Sequence, residues 1–198
     1  MDRTVEGGFA DPVLESQAVF RAIMDALAHP GSPQKLASSA LAQGPLTPEL
    51  VSGLLTLSDT DTPLWLPDAV RNERVAAFIA FHTGAPIVSD PARASFAFAA
   101  AAEDLPPLAA FNPGTQDYPD RSTTIVLAVP ALTGGPLHVI AGPGIRDHAH
   151  FSPLGLPEDF AAQWSANRAI FPRGVDLLLV AEGEVMGLPR STRLEEGH

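Results

Sequence analysis

The segment from Arg146 to His150 contains residue types that could hold a metal ion. Its sequence is Arg-Asp-His-Ala-His, and two histidines two positions apart beside an aspartate are ligand types for zinc. The spacing indicates no third ligand, and the segment is typical of an exposed polar loop. We expect such a loop here, and a metal site at His148 and His150 is the alternative.

Arginines flank the apolar segments of the C-terminal part, at Arg168, Arg173, Arg190 and Arg193. Arginine binds phosphate and carboxylate groups through paired hydrogen bonds, so these side chains would form an anion site if they converge. Each could instead pair with a nearby carboxylate on the surface. The sequence does not show convergence, so both interpretations stay open, with Arg168, Arg173 and Arg190 as candidate ligand or partner contacts.

A glycine-rich turn, Gly142-Pro143-Gly144, could bring the backbone close to a ligand. A P-loop needs Lys and Ser or Thr after its last glycine, and a dinucleotide loop needs three glycines at set spacing. Neither pattern is present. A structural turn is the favoured interpretation, and ligand contact at Gly142 and Gly144 is the alternative.

Other groups with catalytic potential have structural explanations. His82 lies at the end of a predicted helix, where the helix dipole favours a histidine, and an acid–base role would need a partner that the sequence does not identify. Asp59 and Asp61 are typical of a turn whose side chains cap the backbone. The chain has no cysteine and no Gly-x-Ser-x-Gly elbow. The sequence therefore predicts no catalytic residue.

Composition limits the classes of function. The 198 residues suffice for one sizeable core, and a formal net charge of −11 argues against a nucleic-acid surface. No apolar run is long enough to span a bilayer, and the first residues lack the pattern of a signal peptide. We expect one cytoplasmic domain over residues 1–194, with residues 195–198 as the remnant of a purification tag.

The elements that would position these groups lie in residues 137–192. The pattern predicts a strand over 137–141, the glycine turn, a helix over 157–169 and an apolar strand over 175–181. This order is a βαβ unit, so the two strands are expected to be parallel in one sheet. Ligands in such sheets favour the loops beyond the carboxyl ends of the strands. Here these loops are the glycine turn and the segment after Ala181.

The preceding residues predict three helices and several short strands. Asp11-Pro12 and Thr47-Pro48 are helix starts, and Asp68 is expected to cap a third helix over 69–82. An apolar stripe on the first helix and a mostly alanine and phenylalanine surface on the third are the expected packing faces. Short strands are expected at 64–66, 86–88, 95–99 and 123–129, the last forming a hairpin with 137–141. Residues 103–120 are expected to form a short helix and a long loop.

Six segments, in order, resemble the PhnH family of subunits of the bacterial carbon–phosphorus lyase system. Together they span nearly the whole chain, from Phe20 to Thr192, and each alone is weakly specific. The segments are Phe20 to Met24 with His29-Pro30-Gly31, Leu57 to Leu66, Phe81 to Ser89, Gly142 to Ile145, Phe171 to Asp176, and Leu188 to Thr192.

The resemblance implies a fold. Family members are similar to the large domain of fold-type I pyridoxal-phosphate transferases: an α/β fold with a mixed, largely parallel sheet and helices on both faces. They lack the cofactor lysine of that class, and the one lysine here, Lys35, follows the first helix. Because a Schiff base needs a lysine amine, no cofactor is expected.

The resemblance also implies partners and a function. Family members form homodimers and join PhnG, PhnI and PhnJ in a complex that makes ribose 1-phosphonate 5-triphosphate from ATP and an alkylphosphonate. An accessory subunit without a catalytic residue of its own is expected. Nucleotide and phosphonate are the candidate ligands, and His82, Gly142, Gly144, Arg173 and Arg190 are the matched positions that could contact a ligand or partner.

Overall fold

The computed structural model describes residues 6–195, which form four α-helices, ten strands and several short 3-10 turns. None of these helices has the length and apolar content that crossing a bilayer would require. The helices are α1 (Pro12–Ala28), α2 (Pro48–Leu57), α3 (Glu73–His82) and α4 (Phe160–Ala169). The strands are β1 (Gln34–Lys35), β2 (Leu64–Trp65), β3 (Ile87–Val88), β4 (Phe96–Ala99), β5 (Thr124–Ala128), β6 (His138–Ala141), β7 (Ala149–Phe151), β8 (Asp176–Ala181), β9 (Glu184–Leu188) and β10 (Arg193–Glu195).

Seven strands form one mixed sheet in the order β1-β9-β8-β5-β4-β2-β3. The five strands from β8 to β3 are parallel to one another, whereas β9 is antiparallel to β8 and β1 is antiparallel to β9. The expected α/β fold with a mixed, largely parallel sheet is confirmed. Three further strands form a separate antiparallel sheet in the order β10-β6-β7.

Both faces of the large sheet are buried, which explains why its central strands show little polar alternation. On one face, Phe98, Val126 and Leu178 pack in a core with the buried sides of α1, α2 and α3. On the other face, Ile125 and Leu177 pack in a second core with α4 and the small sheet. Neighbouring residues of one strand point to opposite faces, so each central strand contributes to both cores.

Two of the three predicted helix starts are confirmed. The Asp11 carboxylate accepts hydrogen bonds from the N–H groups of Val13 and Leu14 at the start of α1. The Thr47 hydroxyl accepts one from the N–H of Leu50 at the start of α2. In both cases proline follows the cap, where its missing N–H costs no helical hydrogen bond.

The predicted start of the third helix is wrong. The cap is Asn72, whose side chain accepts a hydrogen bond from the Val75 N–H, and α3 begins at Glu73. Asp68 lies in a preceding turn, where the N–H groups of Val70 and Arg71 both donate to the Pro67 carbonyl. Because these N–H groups already have an acceptor in the turn, the helix begins after it, at Glu73.

The expected packing faces of α1 and α3 are only partly right. On α3 the buried side chains are Val75, Phe78 and Ile79, whereas Phe81 is exposed. On α1 the apolar stripe divides into an inner and an outer part. Val19 and Ile23 are buried with Ala22 and Ala26, while Val13, Leu14, Phe20 and Met24 are exposed.

The predicted βαβ unit is wrong. Strand β6 pairs with β7 and β10 in the small sheet, not with β8. Both edges of β8 are already occupied, by β5 on one side and β9 on the other, so β6 has no free edge to join. The predicted hairpin between 123–129 and 137–141 is wrong for a similar reason, because β5 is paired with β4 and β8.

Strands β1, β7, β9 and β10 were not predicted. The β8–β9 hairpin turns at Glu182 and Gly183, both with positive φ (52° and 77°), which is typical of a two-residue hairpin. An acidic residue followed by glycine between two apolar runs was the available signal. Glu195 is the last residue of β10, and the remainder of the predicted tag, 196–198, lies outside the described residues.

Candidate functional site

Arg190 forms a buried ion pair with Asp176, the first residue of β8. Its Nε and Nη2 donate to the two carboxylate oxygens of Asp176, at 3.1 and 2.6 Å, and its backbone N–H also donates to that carboxylate. The remaining Nη1 donates to the Pro119 carbonyl. Only 17% of the Arg190 side chain and 14% of the Asp176 side chain are exposed, so this guanidinium is committed to holding three segments together.

Arg168 and Arg173 lie on either side of the end of α4, and both are half-buried. The Arg168 guanidinium lies 4.5 Å from the centre of the exposed Phe171 ring, which is cation–π geometry. Within residues 6–195, neither arginine has a carboxylate within ion-pair distance; of the twelve basic side chains of the chain, only Arg71 and Arg190 are in such pairs there.

These three arginines lie near the amino ends of the parallel strands. Arg168 and Arg173 precede β8, and Arg190 contacts the first residue of β8 and the 3-10 turn before β5. The carboxyl ends of these strands, where ligands were expected, lie at the opposite end of the sheet. Beyond Ala181 the chain forms only the two-residue hairpin turn into β9.

The glycine turn after β6 packs against the end of α1. A side chain at Gly144 would overlap the carbonyl oxygen of Ala28, and Gly144 has a φ of 84°, so only glycine fits this contact without strain. Gly142 lies against the backbone of Ser191 and Thr192. An open cleft of about 560 Å³ runs along this turn. Its polar lining residues include Asp25, His29, Ser32, Gln34, Arg146 and His148.

The predicted metal alternative gains no support from the geometry. His148 Nδ1 lies 2.8 Å from Glu195 Oε2, and His150 belongs to β7, where it pairs with Val139. The expectation of a loop is therefore wrong for residues 149–151. Among the described residues, no group of three or more His, Cys, Asp or Glu side chains is arranged to hold a metal ion.

His82 is the last residue of α3, as predicted, and its ring is part of an aromatic contact. The ring centre lies 4.3 Å from that of Phe78 and 5.0 Å from that of Phe81. The N-terminal segment crosses this ring, because a side chain at Gly8 would overlap it. His82 therefore supports the packing of residues 7–9 on α3.

A second cleft, which was not predicted, lies at the carboxyl ends of β2 and β4. The chain leaves β2 toward β3 and leaves β4 toward β5, so the direction of connection reverses between these two strands, and ligands of open α/β sheets favour such a point. The cleft has a volume of about 580 Å³. Its charged lining residues are Asp68, Arg71, Glu103 and Asp104, of which Asp68 and Arg71 form an ion pair. This excess of carboxylates disfavours phosphate and phosphonate.

Strand order is what creates this second cleft, so sequence reasoning missed it. The available signal was an acidic residue shortly after each of two apolar strands, Asp68 after β2 and Glu103 after β4. The strands were predicted, but their adjacency depends on pairing between residues about 30 apart.

Two carboxylates with lowered pKa hold element ends in place. The N–H groups of Asp11 and Ser39 donate to Glu15 and lower its pKa. Burial alone would raise the pKa of Glu49, but hydrogen bonds from the Thr47 hydroxyl, its own N–H and the Gly183 N–H together lower it. The Gly183 bond, 2.8 Å long, ties the β8–β9 hairpin to the start of α2.

Comparison with known proteins gives two kinds of match. A family model described as "Bacterial phosphonate metabolism protein (PhnH)" matches residues 7–195, which include every helix and strand above. The chain is 47% identical over 189 residues to the alpha-D-ribose 1-methylphosphonate 5-triphosphate synthase subunit PhnH of Rhizobium meliloti (strain 1021), covering 96% of this chain and 94% of that protein. It is 36% identical over 81 residues to the putative C-P lyase subunit protein HtxG of Stutzerimonas stutzeri, covering 41% of this chain and 42% of that protein.

Proposed function

The chain belongs to the PhnH family of bacterial phosphonate metabolism proteins, and we propose that it acts as a subunit of an alpha-D-ribose 1-methylphosphonate 5-triphosphate synthase in alkylphosphonate catabolism. The observation that carries this proposal is the 47% identity to a subunit of that name along nearly the full length of both chains. In this role the chain works in the cytoplasm with PhnG-, PhnI- and PhnJ-like subunits.

We assign the chain an accessory role within the complex. The supporting geometry is that several residues considered as candidates for ligand contact make contacts within the fold instead. Arg190 pairs with Asp176, His148 lies against Glu195, and Gly144 packs against α1. Groups engaged in this way contribute to stability and to the shape of the surface. The transfer of the phosphonate to ribose and the loss of adenine then depend on the assembled complex.

Co-expression tests this assignment. A tag on this chain should recover the partner subunits in fixed stoichiometry, and the purified complex should release adenine from ATP when methylphosphonate is present. The isolated chain should release none above the level of a no-protein control. Failure to recover any partner, or full activity of the isolated chain, would contradict the proposal.

We also propose that the isolated chain is a homodimer. Val13, Phe20 and Met24 are spaced seven and four residues apart, so they form one exposed apolar row on the outer side of α1. Exposed apolar patches of this kind are typical of protein interfaces. Sedimentation velocity of the purified chain should give a dimer, and a monomer at micromolar concentration would contradict this proposal.

We further propose that the chain has the fold of the large domain of pyridoxal-phosphate transferases but does not bind that cofactor. Lys35, the one lysine of the chain, is exposed on the two-residue edge strand β1 and is not among the residues that line the two clefts described above. Incubation with pyridoxal phosphate should therefore give no visible absorbance band that Lys35→Ala removes. Such a band would contradict this part of the proposal.

A further inference from the structure

An apolar pocket of about 270 Å³ lies between α4 and residues 107–113. Carbon surfaces dominate its walls, which is the usual character of a small-molecule pocket. It is distinct from both clefts described above. Its apolar walls include Leu108, Phe111, Pro113, Ala166, Ile170 and Val175.

The walls of this α4 pocket are held in place by the two amide side chains that line it. Asn167 is buried, and it accepts a hydrogen bond from the Val175 N–H and donates one to the Val175 carbonyl, at 2.8 and 3.0 Å. Gln163 accepts one from the Leu108 N–H at 2.9 Å and donates one to Asp159. Because both amides are engaged, the pocket is already formed and offers a ligand mainly apolar surface.

Two arginines, Arg168 and Arg173, are close to the α4 pocket along the chain, although neither is among its lining residues. The Arg173 N–H donates to the carbonyl of Ile170, and the next N–H, of Gly174, donates to the carbonyl of Pro113. These bonds place the backbone of Arg173 next to the pocket wall. Arg168 is two residues before Ile170. Within the described part of the chain, neither arginine is neutralised by a carboxylate, although the whole chain has a net charge of −11.

We propose that the α4 pocket binds a small molecule with an alkyl or aryl body and a phosphonate or phosphate group. The apolar walls would bury the body, and Arg173, with Arg168 beside it, would bind the charged group through the paired hydrogen bonds that guanidinium makes with such oxygens. The proposal rests on the proposed function, since it assigns to this subunit a binding site for the class of substrate that the complex uses.

Calorimetric titration of the full chain tests the proposal. The probes are phenylphosphonate, phenyl phosphate and inorganic phosphate. At least one phenyl compound should bind at least tenfold more tightly than inorganic phosphate, because only the phenyl compounds fill the apolar pocket. Preference for phenylphosphonate assigns the site to phosphonates, and preference for phenyl phosphate assigns it to phosphate esters. Absence of binding by both phenyl compounds would overturn the proposal.

Variants test the two parts of the site separately. Arg173→Gln removes the charge, and Ala166→Leu fills the pocket from an exposed position. Each should weaken the binding of the phenyl compounds at least tenfold. Arg193→Gln, which removes an exposed charge on β10, should leave their binding unchanged. Circular dichroism melting curves should show that all three variants fold. Unchanged binding in both Arg173→Gln and Ala166→Leu would overturn the proposal, even if the chain still recovers its partners.

Discussion

Arg190 joins residues that lie far apart in the chain, since Asp176 is 14 residues away and Pro119 is 71 residues away. We predict that Arg190→Lys lowers the free energy of unfolding by about 2 kcal/mol, because an ammonium group cannot make the paired contact and leaves part of a buried carboxylate unsatisfied. Urea denaturation of the full chain at neutral pH measures this change.

The matched control for Arg190→Lys is Arg193→Lys. Arg193 is exposed on β10, and the same exchange there should change the free energy of unfolding by less than about 0.5 kcal/mol. Equal effects at the two positions would show that the ion pair with Asp176 does not contribute to stability.

Gly144 gives a second prediction at the residue scale. Gly144→Ala should destabilise the fold by at least about 2 kcal/mol, because the added methyl group meets the Ala28 carbonyl and the backbone has positive φ. Gly134 also has positive φ, but a methyl group there would have no neighbour within 4 Å. Gly134→Ala should therefore cost only about 1 kcal/mol. Thermal and urea unfolding of both variants measure the two losses of stability. The difference between them is the steric contribution at Gly144, since both positions share the cost of positive φ.

Local residue roles were predictable, and long-range roles were not. Asp11 and Thr47 were identified as helix caps because a cap acts on backbone groups two or three residues away. Arg190 was identified as a possible ligand contact, but its pairing with Asp176 depends on two segments that only the folded sheet brings together. Asn167, which fixes the start of β8 through Val175, gave no sequence signal at all.

At the scale of elements, Glu49 connects α2 with the β8–β9 hairpin. Its pKa is lower in the folded chain than in the unfolded chain. Its stabilising effect is therefore complete above the unfolded pKa and is lost as the pH falls through the folded pKa. We predict that Glu49→Gln lowers the free energy of unfolding by about 1 kcal/mol at pH 7, a value reduced for partial exposure.

The pH dependence distinguishes this effect from a change in packing. The difference between Glu49→Gln and the original chain should shrink toward zero as the pH is lowered through the acidic range, where Glu49 itself becomes neutral. Urea denaturation at a series of pH values follows this. A difference that is the same at every pH would show that the carboxylate charge has no part in holding the hairpin.

Elements with a local signal were predicted well, and their pairing was not. The helices α1 and α2 and the strands β4, β5 and β8 fall within a few residues of the predicted ranges. The order of the sheet was not predicted, because β8 fits equally well in the sequence as a partner of β6 or of β5. In the folded sheet β8 pairs with β5 on one edge and with β9, through the short hairpin at Glu182, on the other.

At the scale of the whole molecule, the outer side of α1 is the expected contact with another chain. We predict that Phe20→Glu with Met24→Glu abolishes formation of the proposed dimer, because two charges would enter an apolar interface. Both side chains are about half exposed, so the folded monomer should tolerate the change. Sedimentation velocity measures the oligomeric state, and circular dichroism checks the fold.

Leu137→Glu is the control for the α1 variant. Leu137 is 64% exposed and lies next to the small sheet, away from α1 in the sequence. It should leave the dimer intact. If the α1 double variant remains dimeric as well, the two copies meet through another surface, and capture of the partner subunits by the α1 variant should then be measured.

The position of β8 and β9 in the large sheet has a consequence for synthesis on the ribosome. These two strands lie between β1 and β5, yet they emerge after the other five strands of the sheet. The inner side of α1 packs against β9 as well as against α2, so part of it stays exposed while the first 175 residues are being made. Nascent chains with such uncovered apolar surface are prone to aggregate. We therefore expect the large sheet to be completed only after residues 176–188 have emerged, and yield in the cell should depend on chaperones that shield the growing chain until then.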